Sequence, residues 1–188
     1  SLSGHESLTG VMPASFSIED GKDGDQVVEP DFGDRAIGRV VPVDSMMWWV
    51  LLLHAYTNVT EDREISRQTG FQHVLSAILR LFLRQKYEMF PTLFVPDACF
   101  MIDRRMGVYG HPLEIQSLFF GVLQASMELL EETEDNRELR ELVSKRLELL
   151  QVYVRGFYWL DREKLNDIYR LTTDEFGYAV TNMLNVYP

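Results

Sequence analysis

The sequence has little cysteine and little positive charge. Cys99 is the single cysteine among 188 residues, so no disulfide can form within the chain, as is typical of proteins in a reducing compartment. Lys and Arg number 18 against 29 Asp and Glu, which gives a formal net charge of −11. Such a chain repels nucleic-acid phosphates and anionic membrane surfaces, so neither is an expected partner. An uncharged small molecule meets no such barrier.

Long apolar runs and ligand-binding motifs are also missing. The longest apolar run, 46–53, is far too short to span a bilayer, and the N-terminal sequence lacks a charged-then-apolar signal pattern. These absences predict a cytoplasmic protein. The four His are scattered, without the close spacing of a metal site, and no glycine-rich phosphate fingerprint is present. We therefore expect neither a metal nor an organic cofactor.

Hydrophobic periodicity predicts an all-α chain. Four long helices are expected, at residues 45–58, 64–86, 112–131 and 136–159. A short helix is expected after Asp161. Residues 1–43 have little periodicity and are expected to form an irregular loop segment, with an exposed polar turn at 19–25. The long connection 88–111 is too apolar for a disordered segment, which favours a functional loop.

Asp44 is the first candidate for chemistry. It lies close in sequence to the Trp48–Trp49 pair. A carboxyl group that loses water beside indole rings favours its protonated form, which is the form that a general acid needs. The alternative is that Asp44, or Ser45 beside it, caps the N-terminus of the first helix. The residues alone leave both hypotheses open.

A second group of polar side chains surrounds the connection 88–111 and the start of the third helix. Its members are Asp97, Asp103, Arg104, Arg105, His111, Glu114 and Gln116. Such side chains supply the donors and acceptors that bind vicinal sugar hydroxyls. An internal salt-bridge network, with Asp103 neutralising an arginine, explains them equally well. Pro112, favoured in the first turn of a helix, would place Glu114 near the start of the third helix.

Three long motifs carry a family resemblance. They are DFGDRAIGRVVPVDSMMWWVLLLHAY (31–56), FPTLFVPDACFMIDRRMGVYGHPLEIQSLFF (90–120) and FYWLDREKLNDIYR (157–170). VMPASF (11–16) and NVYP (185–188) fit the same order. Together they resemble the neutral/alkaline invertases, glycoside hydrolase family 100, over nearly the whole chain. The sequence departs from the family's pattern in VPDACFMID, where Gly more often follows the aspartate, and at Met46 and Met47.

The resemblance implies a fold and an activity. Residues 1–188 would be part of the (α/α)6 barrel, a helical toroid, of a glycoside hydrolase catalytic domain, with helices and active-site loops over 44–188. The implied reaction is inverting hydrolysis of sucrose to glucose and fructose, with Asp44 as general acid and the partner base outside this chain. The residues implied to bind sugar are Asp97, Arg104, Arg105, His111, Glu114 and Gln116.

The resemblance also implies that this chain is an incomplete piece and inactive alone, and it leaves a homo-oligomer open. Two other hypotheses remain at this point. One keeps the fold and the acid but changes the substrate to another glucoside. The other is a non-catalytic helical binding module, in which the polar residues serve only a salt-bridge network.

Overall fold

The structure, a computed structural model, describes residues 10–13, 15–21, 25–31, 42–84, 91–95 and 110–159. The chain divides into two compact units, Ser1–Tyr153 and Val154–Pro188. Of the second unit, the described part is the end of the last helix and the two residues after it. The short helix expected after Asp161 lies outside the described residues.

Helices dominate the described residues, so the all-α prediction is confirmed. The helices are α1 (Val43–Thr60), α2 (Arg63–Arg67), α3 (Thr69–Phe82), α4 (Leu113–Leu129) and α5 (Arg137–Phe157). Within these stretches, none is both long enough and apolar enough to cross a membrane. The predicted first, third and fourth helices match α1, α4 and α5 to within about two residues, because their apolar periodicity is strong.

The predicted second helix is instead two helices, α2 and α3. Gln68 separates them with an extended backbone (φ −59°, ψ 137°), while its N–H bonds the carbonyl of Ile65 at 3.3 Å. Gly70 lies just after the break, and Gly disfavours a continuous helix by about 1 kcal/mol relative to Ala. The break leaves the expected apolar face of α3 intact, with Leu75, Ile78 and Leu79 buried.

Helices α1 and α4 pack closely and run in the same direction. A Cβ at Gly121 would lie 3.3 Å from Cδ2 of Leu51, so the missing side chain lets the two backbones approach. Towards the C-terminal ends, His54 Nε2 lies 2.9 Å from Glu128 Oε2. Residue numbers rise together along both helices, which makes the pair parallel. The two helices therefore begin at the same end of the bundle.

The segment 1–43 is not wholly irregular, which corrects the prediction. Strands β1 (Ser15–Asp20) and β2 (Gln26–Asp31) form an antiparallel hairpin in which Ile18 faces Val28. Of the turn expected at 19–25, Glu19 and Asp20 belong to β1, and the N–H of Gly21 bonds the carbonyl of Asp25 at 2.6 Å. The strands were missed because their alternation of apolar and polar residues is short and is interrupted by Pro30.

Candidate active site

Asp44 is buried in the first turn of α1. The residue is only 3 % exposed. The cap position of α1 is Pro42, and no side chain makes a capping hydrogen bond there. Asp44 and Ser45 both lie inside the helix, so the capping hypothesis is wrong. Asp44 is the second residue of the helix.

The two tryptophans near Asp44 have different surroundings. Trp49 stacks on Phe71 of α3, with ring centroids 5.9 Å apart and an interplanar angle of 16°. Trp48 is one helical turn from Asp44 and is about half exposed. Met46 and Met47, where the sequence departs from the family pattern, are buried in the core. These two departures therefore affect packing.

Glu114 lies at the same end of the helix pair as Asp44. Leu51 and Gly121 mark the level at which α1 and α4 touch. Asp44 and Glu114 each precede that level by seven residues, or about 10 Å of helix. Glu114 is half-buried and in the first turn of α4, where an acidic side chain is favoured. The parallel packing thus brings two predicted site residues to one end.

Gln116 is fully buried, and its contacts are with the chain itself. Its Oε1 accepts the N–H of Leu93, and its Nε2 donates to the carbonyl of Leu93, both at 2.8 Å. Both polar atoms of the amide thus pair with the backbone of residues 91–95, hereafter the 91–95 segment. A buried amide paired in this way does not face a ligand in this structure, which favours a structural role over sugar binding.

His111 is held by the same segment. Its Nδ1 lies 2.8 Å from Thr92 Oγ1, and its ring meets the Phe94 ring edge-on, with centroids 5.5 Å apart and an angle of 61°. Burial lowers the pKa of His111 below its ordinary value of 6.5, and a hydrogen bond with the Leu93 backbone opposes part of that shift. The neutral imidazole is therefore favoured at neutral pH.

Protonation of His111 should destabilise the fold. Because burial lowers the pKa of His111, the folded chain binds fewer protons than the unfolded chain just below pH 6.5. The urea midpoint of the 188-residue chain should therefore fall as the pH decreases from 7.5 to 5.5. His111→Gln should reduce this pH dependence, and His73→Gln, at an exposed position of α3, should leave it unchanged. Equal pH profiles for the two variants would contradict this account.

Two backbone positions are joined beside His111. Val95 and Gly110 exchange two backbone hydrogen bonds of 2.7 and 2.8 Å. Gly110 has a φ of +116°, which side chains disfavour. The predicted site residues Asp97, Arg104 and Arg105 belong to the stretch between these two positions and lie outside the described residues.

Arg146 was not among the predicted site residues. This residue of α5 is 6 % exposed, and its Nη1 donates to the carbonyl of Pro91 at 3.3 Å. Burial lowers the pKa of its guanidinium. The sequence contained a signal for the burial of Arg146, because this residue continues the spacing of Leu139, Val143 and Leu150, the other buried residues of α5. An arginine on an apolar stripe indicates a buried cation with a specific partner.

A cleft of about 660 Å³ lies at the other end of the helix pair, by the C-termini of α1 and α4. Its lining includes His54, Asn58, Glu128 and Arg140, and none of the predicted site residues. Among the described residues, no three His, Cys, Asp or Glu side chains are grouped as a metal site requires. Asp44 and Glu114 lie at the opposite end of the helix pair from this cleft.

Comparison with known proteins decides the family. The family model described as alkaline and neutral invertase matches residues 1–188. The chain belongs to this family. Invertase-family relatives from Arabidopsis thaliana include alkaline/neutral invertase E, chloroplastic, which is 44 % identical over 98 % of this chain, and alkaline/neutral invertase CINV1, 47 % identical over 95 %. Cytosolic invertase 1 of Oryza sativa subsp. japonica is 46 % identical over 95 %.

The chain spans about a third of the length of these invertases, with 31, 33 and 32 % of their respective lengths covered. Their names also differ in compartment. Chloroplastic, mitochondrial and cytosolic invertases all match this chain at similar identity. Family membership therefore carries no single location with it.

Proposed function

We propose that this chain supplies the general acid and part of the sugar site of a cytoplasmic enzyme that hydrolyses sucrose to glucose and fructose. The observation that carries the proposal is the position of Asp44, buried within the first turn of α1 and not at its cap. Membership of the alkaline and neutral invertase family supports the choice of sucrose. The burial of Asp44 shields its carboxyl group from bulk water.

In the proposed reaction, Asp44 donates its proton to the glycosidic oxygen as fructose leaves. A second carboxylate, in polypeptide beyond these residues, removes a proton from the water that attacks the glucosyl carbon from the opposite face. Inversion requires the two carboxyl groups to be about 6.5–9.5 Å apart, so that the water fits between them. The proton taken from water balances the one that Asp44 gives up.

Sugar binding is proposed for the other polar residues at this end. Glu114 would accept hydrogen bonds from sugar hydroxyls, and His111, favoured as a neutral imidazole, can either donate or accept. Asp97, Arg104 and Arg105 are proposed on the family resemblance alone. No cofactor takes part in the proposed reaction, because protonation of the leaving group and activation of water need only carboxyl groups.

The alternative of a stand-alone binding module has less support. Such a module should bury its own apolar faces, whereas α1 exposes Trp48, Leu52, Tyr56 and Val59 along one side. Side chains at this spacing form a continuous stripe, and exposed stripes of this kind mark interaction surfaces. The exposure supports the proposal that α1 packs within a larger catalytic domain.

A sucrose assay tests the proposed substrate. The complete product of the gene should release equal amounts of glucose and fructose from sucrose near neutral pH, and the 188-residue chain alone should release none. Maltose and trehalose serve as controls, since they share the glucosyl unit but not the fructosyl unit. A folded, complete product that cleaves one of them and leaves sucrose intact would replace sucrose with another glucoside. Hydrolysis by the 188-residue chain would overturn the placement of the second carboxylate elsewhere.

A further inference from the structure

The 91–95 segment is buried but belongs to no helix or extended strand. Thr92, Leu93 and Val95 are each at most 5 % exposed. Buried backbone N–H and C=O groups need partners, because an unpaired one costs the free energy of a lost hydrogen bond. In a segment without regular structure, those partners must come from elsewhere in the fold.

Two helices supply partners through their side chains. From α4, the amide of Gln116 pairs with both backbone groups of Leu93 at 2.8 Å, as a neighbouring strand would. From α5, Arg146 Nη1 reaches the carbonyl of Pro91 at 3.3 Å. Both side chains are buried, so water does not compete freely for these bonds.

The segment in turn fixes groups of the candidate active site. Thr92 Oγ1 is 2.8 Å from Nδ1 of His111 and so orients that imidazole ring. Val95 exchanges backbone bonds with Gly110, the residue before His111. Any shift of the 91–95 segment would therefore move the Thr92 hydroxyl and the Gly110 backbone, the two groups that hold His111, together.

We propose that Gln116 and Arg146 are positioning residues, which clamp the 91–95 segment between α4 and α5 and thereby hold His111 in place for catalysis. The catalytic part of this proposal rests on the proposed function, because His111 is taken to bind sugar. Neither clamp residue needs to touch the substrate. Gln116 is thus assigned to the scaffold of the site, which is a different role from that of a sugar ligand.

The most specific test is Gln116→Glu, because it changes only the side-chain amide nitrogen to oxygen. The ionised carboxylate still accepts the N–H of Leu93 but cannot donate to its carbonyl, so one half of the pairing is lost. In the complete gene product, kcat/KM for sucrose should fall about 10²-fold at pH values where the introduced carboxyl group is ionised, as expected for a site group displaced by about 1 Å. Gln124→Glu, exposed on the same helix, adds the same charge and should leave kcat/KM unchanged.

Acid should restore the Gln116→Glu variant. Once protonated, the introduced carboxyl group can donate to the Leu93 carbonyl and remake the lost bond, and its burial favours the protonated form. The pH profile of kcat/KM should therefore shift towards acid relative to both the wild type and Gln124→Glu. A merely weakened fold has no reason to recover in acid. Equal profiles for the two variants, with an active wild type, would overturn the clamp.

Hydrogen–deuterium exchange tests the clamp without activity. In Gln116→Met, which keeps the side-chain length but removes both bonds, amides of the 91–95 segment should exchange about tenfold faster. Gln124→Met should leave exchange unchanged. Arg146→Lys, which keeps a donor, should raise exchange less than Arg146→Met. Exchange that matches the wild type in Gln116→Met would refute the clamp, whereas sucrose left intact by the wild type would refute the proposed function alone.

Discussion

Replacing Asp44 by Asn should lower kcat for sucrose hydrolysis by the complete gene product about 10²- to 10⁴-fold, the usual contribution of a general acid. The amide has the shape of the carboxyl group but does not deliver a proton to the departing fructose. Because Asp44 is not the cap of α1, the substitution removes no capping bond. Steady-state kinetics of the folded variant, with circular dichroism to verify the fold, would measure the loss.

The leaving group separates acid catalysis from general damage to the site. With α-glucosyl fluoride, whose fluoride leaves without protonation, Asp44→Asn should approach the wild-type rate. Asp62→Asn is a suitable control, because Asp62 caps α2 through the N–H of Ile65 and Asn caps a helix equally well. Full sucrose activity in Asp44→Asn would keep the family assignment and remove Asp44 from the chemistry. An equal loss on both substrates would show that Asp44 has a binding or structural role.

Truncation of Phe119 should produce the largest loss of stability. Phe119 of α4 is fully buried, and its ring meets Phe82 of α3 edge-on, with centroids 5.9 Å apart. Phe119→Ala removes this contact and leaves a cavity, which typically costs about 3–5 kcal/mol. We expect the free energy of unfolding of the 188-residue chain, measured with urea, to fall by that amount.

A matched truncation on the surface provides the comparison. Phe157, at the end of α5, is 75 % exposed, so Phe157→Ala should change the free energy of unfolding by no more than about 0.5 kcal/mol. If the two substitutions had similar effects, the packing of α4 against α3 would not be the main source of stability in this chain.

Much of the helical fold was predictable from the spacing of apolar residues, and the exceptions have local causes. The stripe of α5 follows a regular spacing, so its limits were predicted closely. Gln68 was unremarkable in sequence, and its extended backbone is fixed by contacts on either side, since Gln72 Nε2 bonds the carbonyls of Ser66 and Leu129. Such long-range contacts override helix propensity, which is weak over any single residue.

The candidate site was less predictable, because polar residues there have several uses. The predicted first helix began at residue 45, so Asp44 stood just before it as either cap or acid; Pro42 at the cap position excludes the first role, and the second remains a proposal. Gln116 was predicted to bind sugar because it belongs to a family motif, although it shares a helical face with buried Phe119 and Leu123. That spacing, like the one around Arg146, indicates a buried polar group satisfied within the fold.

The backbone pair between Val95 and Gly110 makes the spacing of these two positions independent of the residue types between them. The two positions are held by main-chain bonds, which do not depend on side chains. The entropy cost of closing a stretch of chain grows slowly, by about 0.6 kcal/mol for each doubling of its length. Substitutions or changes of length between residues 95 and 110 should therefore leave His111 and the helices that present Asp44 in place.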